Sequence, residues 1–355
     1  MNNNKEKNSV ASDSLEDITS EEVKNDEIRK ERVKNILTEN NSPVPQRNIS
    51  RRELVDAINE HLLTPHDRGK RIACEKNVVR WIDQILDKYP EHKGKYRMLF
   101  LYSNGTLDRS AADSIHRALA EYSIRGVTSD PIMLLLHSPG GYPGPAYLIG
   151  KMLQEASKKN LEIVVPRWAK SAATLMCCSA SHIHMGRLSE LGPIDPQVGD
   201  PPMPALGLKV AIEHIVDLVE NHPESKDLFI GYMVGKVDPM HLGYFDRASA
   251  SAIQYAERLL NSGAHGIDIQ QASQIAARLV HGYMDHGFVI DKEEALQVFG
   301  KDMVLSETKE YELSEKLYNE LSYIEFLAHR RGFNFSLIGS PYTGIQFVKR
   351  GALCS

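Results

Sequence analysis

Apolar residues change rhythm along this chain. Between residues 51 and 89 they recur every three or four positions: Leu54, Ile58 and Leu62, then Val79, Ile82 and Leu86. That spacing puts them on one helix face, so RRELVDAINEHLL and EKNVVRWIDQILDKY read as two amphipathic helices. From residue 98 the rhythm breaks into short unbroken apolar runs: MLFLYS (98–103), PIMLLLHS (131–138) and LEIVVP (161–166), with HIHMG (182–186) a fourth candidate. Such runs predict strands buried on both faces. Helical segments alternate with them, in SAADSIHRALAEYS, GPAYLIGKMLQEASKKN and SAATLMCCSA. The alternation predicts an α/β fold on a parallel sheet. From about residue 208 the pattern is mainly helical: LKVAIEHIVDLVENH, SASAIQYAERLLNSG, IQQASQIAARLVHGYM, KEEALQVFG and a further helix over 311–328. The last stretch, FNFSLIGSPYTGIQFVKRG, is too mixed to assign.

Composition divides the chain further. Residues 1–47 are polar, poor in aromatics and rich in Asn, Lys and Glu, which predicts a disordered tail. Residues 48–94 form a helical lead-in, 95–310 the principal domain, and 311–355 a C-terminal helix and tail. The N-terminus has no apolar stretch of the kind a signal peptide needs. The apolar runs are too short to span a bilayer, so a soluble, cytoplasmic protein is expected. With 42 basic and 47 acidic residues the net charge is −5, which leaves no basic footprint for nucleic acid. Four Cys and no CxxC pair predict neither a disulfide framework nor a structural zinc site. The chain carries no GxGxxG motif, and no cofactor is expected.

Two motifs could carry chemistry. HSPGGYPG (137–144) closes one predicted strand and precedes a helix. Its adjacent glycines let backbone N–H groups face a substrate, as an oxyanion hole requires, although a tight strand-to-helix turn would look the same. Ser171 opens a helix after the next strand, where free amides and the helix dipole favour an anion; it could equally be an ordinary N-cap. In a parallel sheet both motifs fall at one edge, where active sites collect. A nucleophilic Ser needs a base, from the 14 His or from a Lys with a lowered pKa. His182 and His184 share one face of a predicted strand. Lys226 and Lys236 lie in ESKDLFIGYMVGKVDPMHLG. Lys170 adjoins Ser171, so its side chain should diverge from the hydroxyl. Cys177 and Cys178 read as buried small apolar residues. Trp168 and Tyr142 are candidate cleft residues.

SPGG, a helix, a strand and then AKSAAT resemble the ClpP/crotonase fold of serine peptidases. The downstream run ASHIHMGRLSELGPIDPQ (180–197) is similar to the signal peptide peptidase A branch, with Gly192 in the glycine place twenty-one positions after Ser171. LSELGPIDPQ, GYFDRASASAIQYAERLL and HGFVIDKEEALQVFG are similar to the serine dehydrogenase proteinase group of that branch. The resemblance covers roughly residues 95–305. It implies a repeated ββα superhelix with a parallel sheet, and a homo-oligomeric, ring-forming peptidase acting on peptides or proteins.

Carried over, the resemblance makes Ser171 the nucleophile, with Gly140, Gly141 and Ala172 forming the oxyanion hole. ClpP itself has a His about 25 positions beyond its Ser, where this chain has Pro196. The signal peptide peptidase branch uses a Lys instead, and Lys236 fits that pattern better than Lys226. The expected reaction is peptide hydrolysis through an acyl-enzyme on Ser171. The alternatives are a crotonase-like acyl-CoA-binding enzyme and an inactive scaffold of the same fold.

Overall fold

The computed structural model describes residues 48–127, 131–158, 160–198, 203–234 and 239–351. The 1–47 tail and Lys236 lie outside the described residues. Helices α1 (Arg51–Leu63), α2 (Arg68–Leu86) and α3 (Pro90–Lys95) come first. Ser50 and Glu53 start α1 with a reciprocal capping box, in which each side chain satisfies a backbone N–H of the other residue. Asp67 caps α2, starting it seven residues before the apolar periodicity becomes regular.

Then β1 (Arg97–Ser103), α4 (Arg109–Ile124), β2 (Ile132–His137), α5 (Pro143–Ala156), β3 (Leu161–Val165), β4 (Trp168–Ala169), α6 (Ala172–Cys177), β5 (His182–Met185) and β6 (Glu190–Leu191) follow in turn. A short pair, β7 (Gln197–Val198) and β8 (Met203–Pro204), leads into α7 (Ala205–Asn221), α8 (Lys226–Val234), α9 (Pro239–Ser262), α10 (Ile269–His281) and α11 (Lys292–Phe299). The chain ends with β9 (Val304–Leu305), α12 (Lys309–Arg330), β10 (Phe333–Gly339) and β11 (Ile345–Lys349).

Seven strands form the main sheet in the order β11-β10-β1-β2-β3-β5-β9. From β1 to β9 each neighbour pairs in parallel; β10 and β11 close one edge antiparallel. The C-terminal segment with no clear pattern is thus this hairpin. Both faces of the parallel part are covered, which explains the unbroken apolar runs. Leu99, Leu101, Leu134, Leu136, Ile163 and Val165 face α4, α5 and α6. Met98, Phe100, Tyr102, Met133, Leu135 and Val164 face α1, α2 and α12.

β1, β2, β3 and β5 are each followed by a short extended segment in a second layer. Bridges join these segments: Leu107 with Gly141, Ser138 with Ala169, Ala169 with Leu191 and Leu191 with Ile290. This is the ββα repeat expected from the resemblance, and it places residues 138–141, 169–171 and 191–195 side by side beyond the ends of β2, β3 and β5.

At the opposite end of the strands Glu162 is buried between two imidazoles. His182 Nδ1 lies 3.1 Å from both carboxylate oxygens and His184 Nε2 lies 2.7 Å from Oε2. His184 Nδ1 meets the hydroxyl of Thr308, the N-cap of α12, at 2.8 Å. Burial opposes the charged carboxylate, but the hydrogen bonds from His184 and His182 outweigh it and hold Glu162 below its ordinary pKa of 4.5. A depressed carboxylate contributes stability above its unfolded pKa and loses it as pH falls through the folded value. Acid titration followed by circular dichroism should therefore show melting temperature dropping below about pH 4.5, and Glu162→Gln should flatten that drop. The same variant should cost about 1–3 kcal/mol at neutral pH, read from denaturant unfolding.

Candidate active site

Ser171 stands between β4 and α6 with φ 51° and ψ −120°, a conformation that L-residues rarely adopt. Its hydroxyl makes no capping bond to α6, which argues against the simple N-cap reading. Among the described residues the hydroxyl has no hydrogen-bond partner, and the residue is half-buried. The turn is pinned on both sides. Ser138 N–H donates to Trp168 O at 3.1 Å, and Lys170 N–H donates to Ser138 O at 3.0 Å. Behind it, Ala173 N–H donates to Lys170 O at 2.9 Å and Leu175 N–H to Ser171 O at 3.1 Å.

The glycine loop meets this turn directly. A Cβ on Gly140 would lie 2.5 Å from Lys170 O, 2.9 Å from Ser171 Cβ and 3.0 Å from Ala172 N. A Cβ on Gly141 would lie 2.4 Å from Leu107 O and 2.5 Å from Leu107 N. The two glycines have φ +94° and +154°, so the sequence needs glycine at both for conformation as well as for space. Their backbone hydrogen bonds differ. Gly140 N–H donates to Ser138 Oγ at 3.1 Å, and its carbonyl accepts from Leu107 N–H at 2.8 Å. Among the described residues nothing accepts from Gly141 N–H or Ala172 N–H. Gly140 thus supplies close approach, while Gly141 and Ala172 retain donors beside Ser171.

α6 is fixed beneath Ser171 by a buried hydroxyl. Thr174 Oγ1 donates to Ala169 O at 2.6 Å and accepts from Gly192 N–H at 3.0 Å, joining α6, β4 and the LGPID loop. Thr174→Val should leave Gly192 N–H unsatisfied and cost about 1–3 kcal/mol, measured by chemical denaturation. Cys177 and Cys178 are buried at the C-terminal end of this helix. Burial pushes the Cys177 thiol well up and that of Cys178 to about 12, so neither offers a thiolate near neutral pH.

Lys170 turns away from the serine. Its ammonium lies 3.1 Å from Glu190 Oε2 and donates to the carbonyls of Leu191 at 3.0 Å and Phe288 at 3.4 Å. Its stem crosses Gly192, where a Cβ would sit 2.8 Å from Lys170 Cδ. His137 is buried before the SPGG turn with its ring 4.2 Å from that of Trp168 and 4.9 Å from that of Tyr102. Burial, with Arg167 nearby, lowers its pKa to about 4, so it stays neutral. Trp168 is therefore engaged with His137, and Tyr142 is exposed. His182 and His184 belong to the Glu162 cluster at the far end of the strands. Lys226 is exposed at the start of α8. A feature without any local sequence signal is the contact between His286 Nδ1 and Asp195 Oδ1, 2.7 Å apart and 91 positions apart in the chain. Among the described residues no group of three or more His, Cys, Asp or Glu could hold a metal ion.

The chain is 29% identical over 199 residues to an uncharacterized protein of Methanocaldococcus jannaschii, covering 56% of this chain and 62% of that protein. A second uncharacterized protein of the same organism is 35% identical over 72 residues, covering 20% of this chain and 24% of the relative. The chain thus spans less than two thirds of the curated relatives it matches. Among solved structures it is similar to a point mutant of the 1510-N membrane-bound stomatin-specific protease, with 14% identity and TM-score 0.37 over 74% of this chain and 99% of the other. It is also similar to a point mutant of ClpP1 from Listeria monocytogenes, with 14% identity and TM-score 0.34 over 61% and 94%. A family model described as ClpP-like SDH-type serine proteinase matches residues 111–325, which contain the SPGG loop, Ser171 and the LGPID loop. With more than half its length inside that match, the chain belongs to the ClpP-like SDH-type serine proteinases.

Proposed function

We propose that this protein is a serine endopeptidase that hydrolyses peptide bonds through an acyl-enzyme on Ser171. The observation that carries the reading is the strained, uncapped Ser171 beside two N–H groups that have no acceptor among the described residues. Strain of this kind at a helix start keeps the hydroxyl off the helix and free for attack. Gly141 and Ala172 N–H would stabilise the oxyanion of each tetrahedral intermediate, acting where the charge develops. Gly140 would keep the loop close enough for both to point at one oxygen. The resemblance nominates Lys236 as the base.

Assembly into a homo-oligomeric ring belongs to the same reading. Across residues 210–231, spanning most of α7 and the start of α8, no residue is buried, yet Val210, Val216, Leu228 and Ile230 are all exposed. Apolar helical surface of this extent is what subunit contacts cover. A cytoplasmic site of action is proposed with it; no helix among the described residues is long and apolar enough to cross a membrane.

Incubation of the purified protein with unfolded casein, analysed by mass spectrometry of the peptides, tests the activity. New internal cleavages by wild type and none by Ser171→Ala would support it. Intact casein with a folded, assembled wild type would favour the scaffold reading, and acyl-CoA co-purifying with the protein would favour the crotonase-like one.

A further inference from the structure

Four elements converge behind the glycine loop. His137, the last residue of β2, is buried with its ring among three others. It stacks on Tyr102 of β1, 4.9 Å between centroids and 27° between planes. Tyr318 of α12 meets it edge-on at 5.0 Å, and Trp168 of β4 lies nearest, at 4.2 Å. Trp168 is also where the glycine loop is tied, because its carbonyl accepts from Ser138 N–H at 3.1 Å. The His137 ring and the Ser138 backbone thus hold the same residue, three positions before Ser171.

The imidazole earns nothing from its polarity. Its Nδ1 is buried without a hydrogen-bond partner among the described residues, a cost that an apolar ring would avoid. The charges around it are already matched. On the β3–β4 link, Arg167 holds Glu315 of α12 through both Nη atoms and lies 4.5 Å over the Tyr318 ring. Tyr311, also on α12, donates to Glu315 at 2.7 Å. Glu325 of α12 accepts from the Tyr102 hydroxyl and the Asn104 amide. Glu190 of β6 faces the Lys170 ammonium at 3.1 Å. An imidazolium here would meet Arg167 and only carboxylates already engaged, which agrees with the lowering of its pKa to about 4. A neutral ring that neither bonds nor titrates near neutral pH acts by its shape and position.

We infer that His137 is a positioning residue: its ring, wedged between Tyr102, Tyr318 and Trp168, sets the glycine loop against the Ser171 turn. The inference rests on the Ser171 reading above. Gly141 and Ala172 stand on different segments, so their N–H groups point at one oxygen only while those segments keep their spacing. The wedge fixes that spacing from the sheet side, at the last residue of β2 and at the residue to which Ser138 is bonded. Oxyanion donors act on charge that develops in the transition state. Loss of the wedge therefore slows bond formation to Ser171 and leaves initial binding almost unaltered.

The test is saturation kinetics of fluorophosphonate labelling, which separates the probe's binding constant from the rate of bond formation. Full-length wild type is compared with His137→Leu, His137→Phe, Trp168→Leu and the double leucine variant, with the labelled residue identified by mass spectrometry. The inference predicts bond formation roughly 30-fold or more slower in His137→Leu, with the binding constant within about threefold of wild type. His137→Phe should recover at least about a third of the wild-type rate, because it keeps a flat ring in the wedge. Trp168→Leu should lose as much as His137→Leu, and the double variant should fall no more than about threefold below either, since both act through one contact. Trp168 is half-buried, so its variant gives the answer even where His137→Leu does not fold. An unchanged rate in either single variant, a loss confined to the binding constant, no recovery in a folded His137→Phe, or losses that multiply in the double variant overturns the inference. Label found on a residue other than Ser171 in wild type would instead overturn the Ser171 reading, so the two failures are distinguishable.

Discussion

Ser171→Ala should fold as the native chain does and lose peptidase activity by roughly 10⁴-fold or more. The expectation follows from what the side chain does and does not touch. Its hydroxyl caps nothing and bonds to nothing among the described residues, so its removal deprives the fold of no contact. A stability change within about 0.5 kcal/mol is expected by thermal unfolding. Ser171→Gly separates the roles further. Glycine adopts a φ of 51° without the Cβ penalty, so that variant should be inactive yet about 1 kcal/mol more stable than wild type. An ordinary N-cap would behave in the opposite way, losing about 1 kcal/mol on substitution by alanine.

Gly140→Ala should be strongly damaging, and its clash falls on the Ser171 turn itself. The added carbon would lie 2.5 Å from Lys170 O and 2.9 Å from Ser171 Cβ, both on the turn that carries Ser171. Neither neighbour is the loose end of a flexible side chain: Lys170 O accepts from Ala173 N–H, and Lys170 N–H is bonded to Ser138 O. The φ of +94° adds backbone strain to the clash. Together these should cost about 2–5 kcal/mol of stability and abolish detectable labelling of Ser171. Gly144→Ala is the matched control. Nothing lies within 4 Å of a Cβ there, and the residue sits in the first turn of α5, so a neutral or slightly stabilising effect is expected. Denaturant unfolding and labelling rates of the two variants check the contrast.

How much of this was legible in the sequence depends on the range of the interactions. The parallel strands could be read because burial on both faces produces uninterrupted apolar runs, as in IMLLL and IVV. The edge hairpin has a different rhythm: Phe333–Gly339 alternates buried residues with exposed Asn334 and half-buried Ser336 and Ile338, as a strand covered mainly on one face does, and pairs antiparallel with a strand more than 200 residues earlier. Val304–Leu305 is too short to announce itself. At the site, Ser171 and the glycine pair each carry a local signal, and the parallel topology brings them together. The three proposed oxyanion residues proved unequal only once their N–H partners were known, with Gly140 already bonded to Ser138. The Asp195–His286 pair had no local signature; strand register alone brings these distant positions face to face. His182 and His184 were read to share one face of a strand, and the shared partner there is Glu162.

The central claim is that Ser171 is the nucleophile. The most direct measurement is to label the intact protein with a fluorophosphonate, digest it with trypsin and locate the adduct by tandem mass spectrometry. Cleavage after Lys170 would place Ser171 at the start of its peptide. A single phosphonylated residue, Ser171, is expected, with the adduct absent from heat-denatured protein. An adduct on another serine, or a folded and assembled protein that takes up no label, would contradict it.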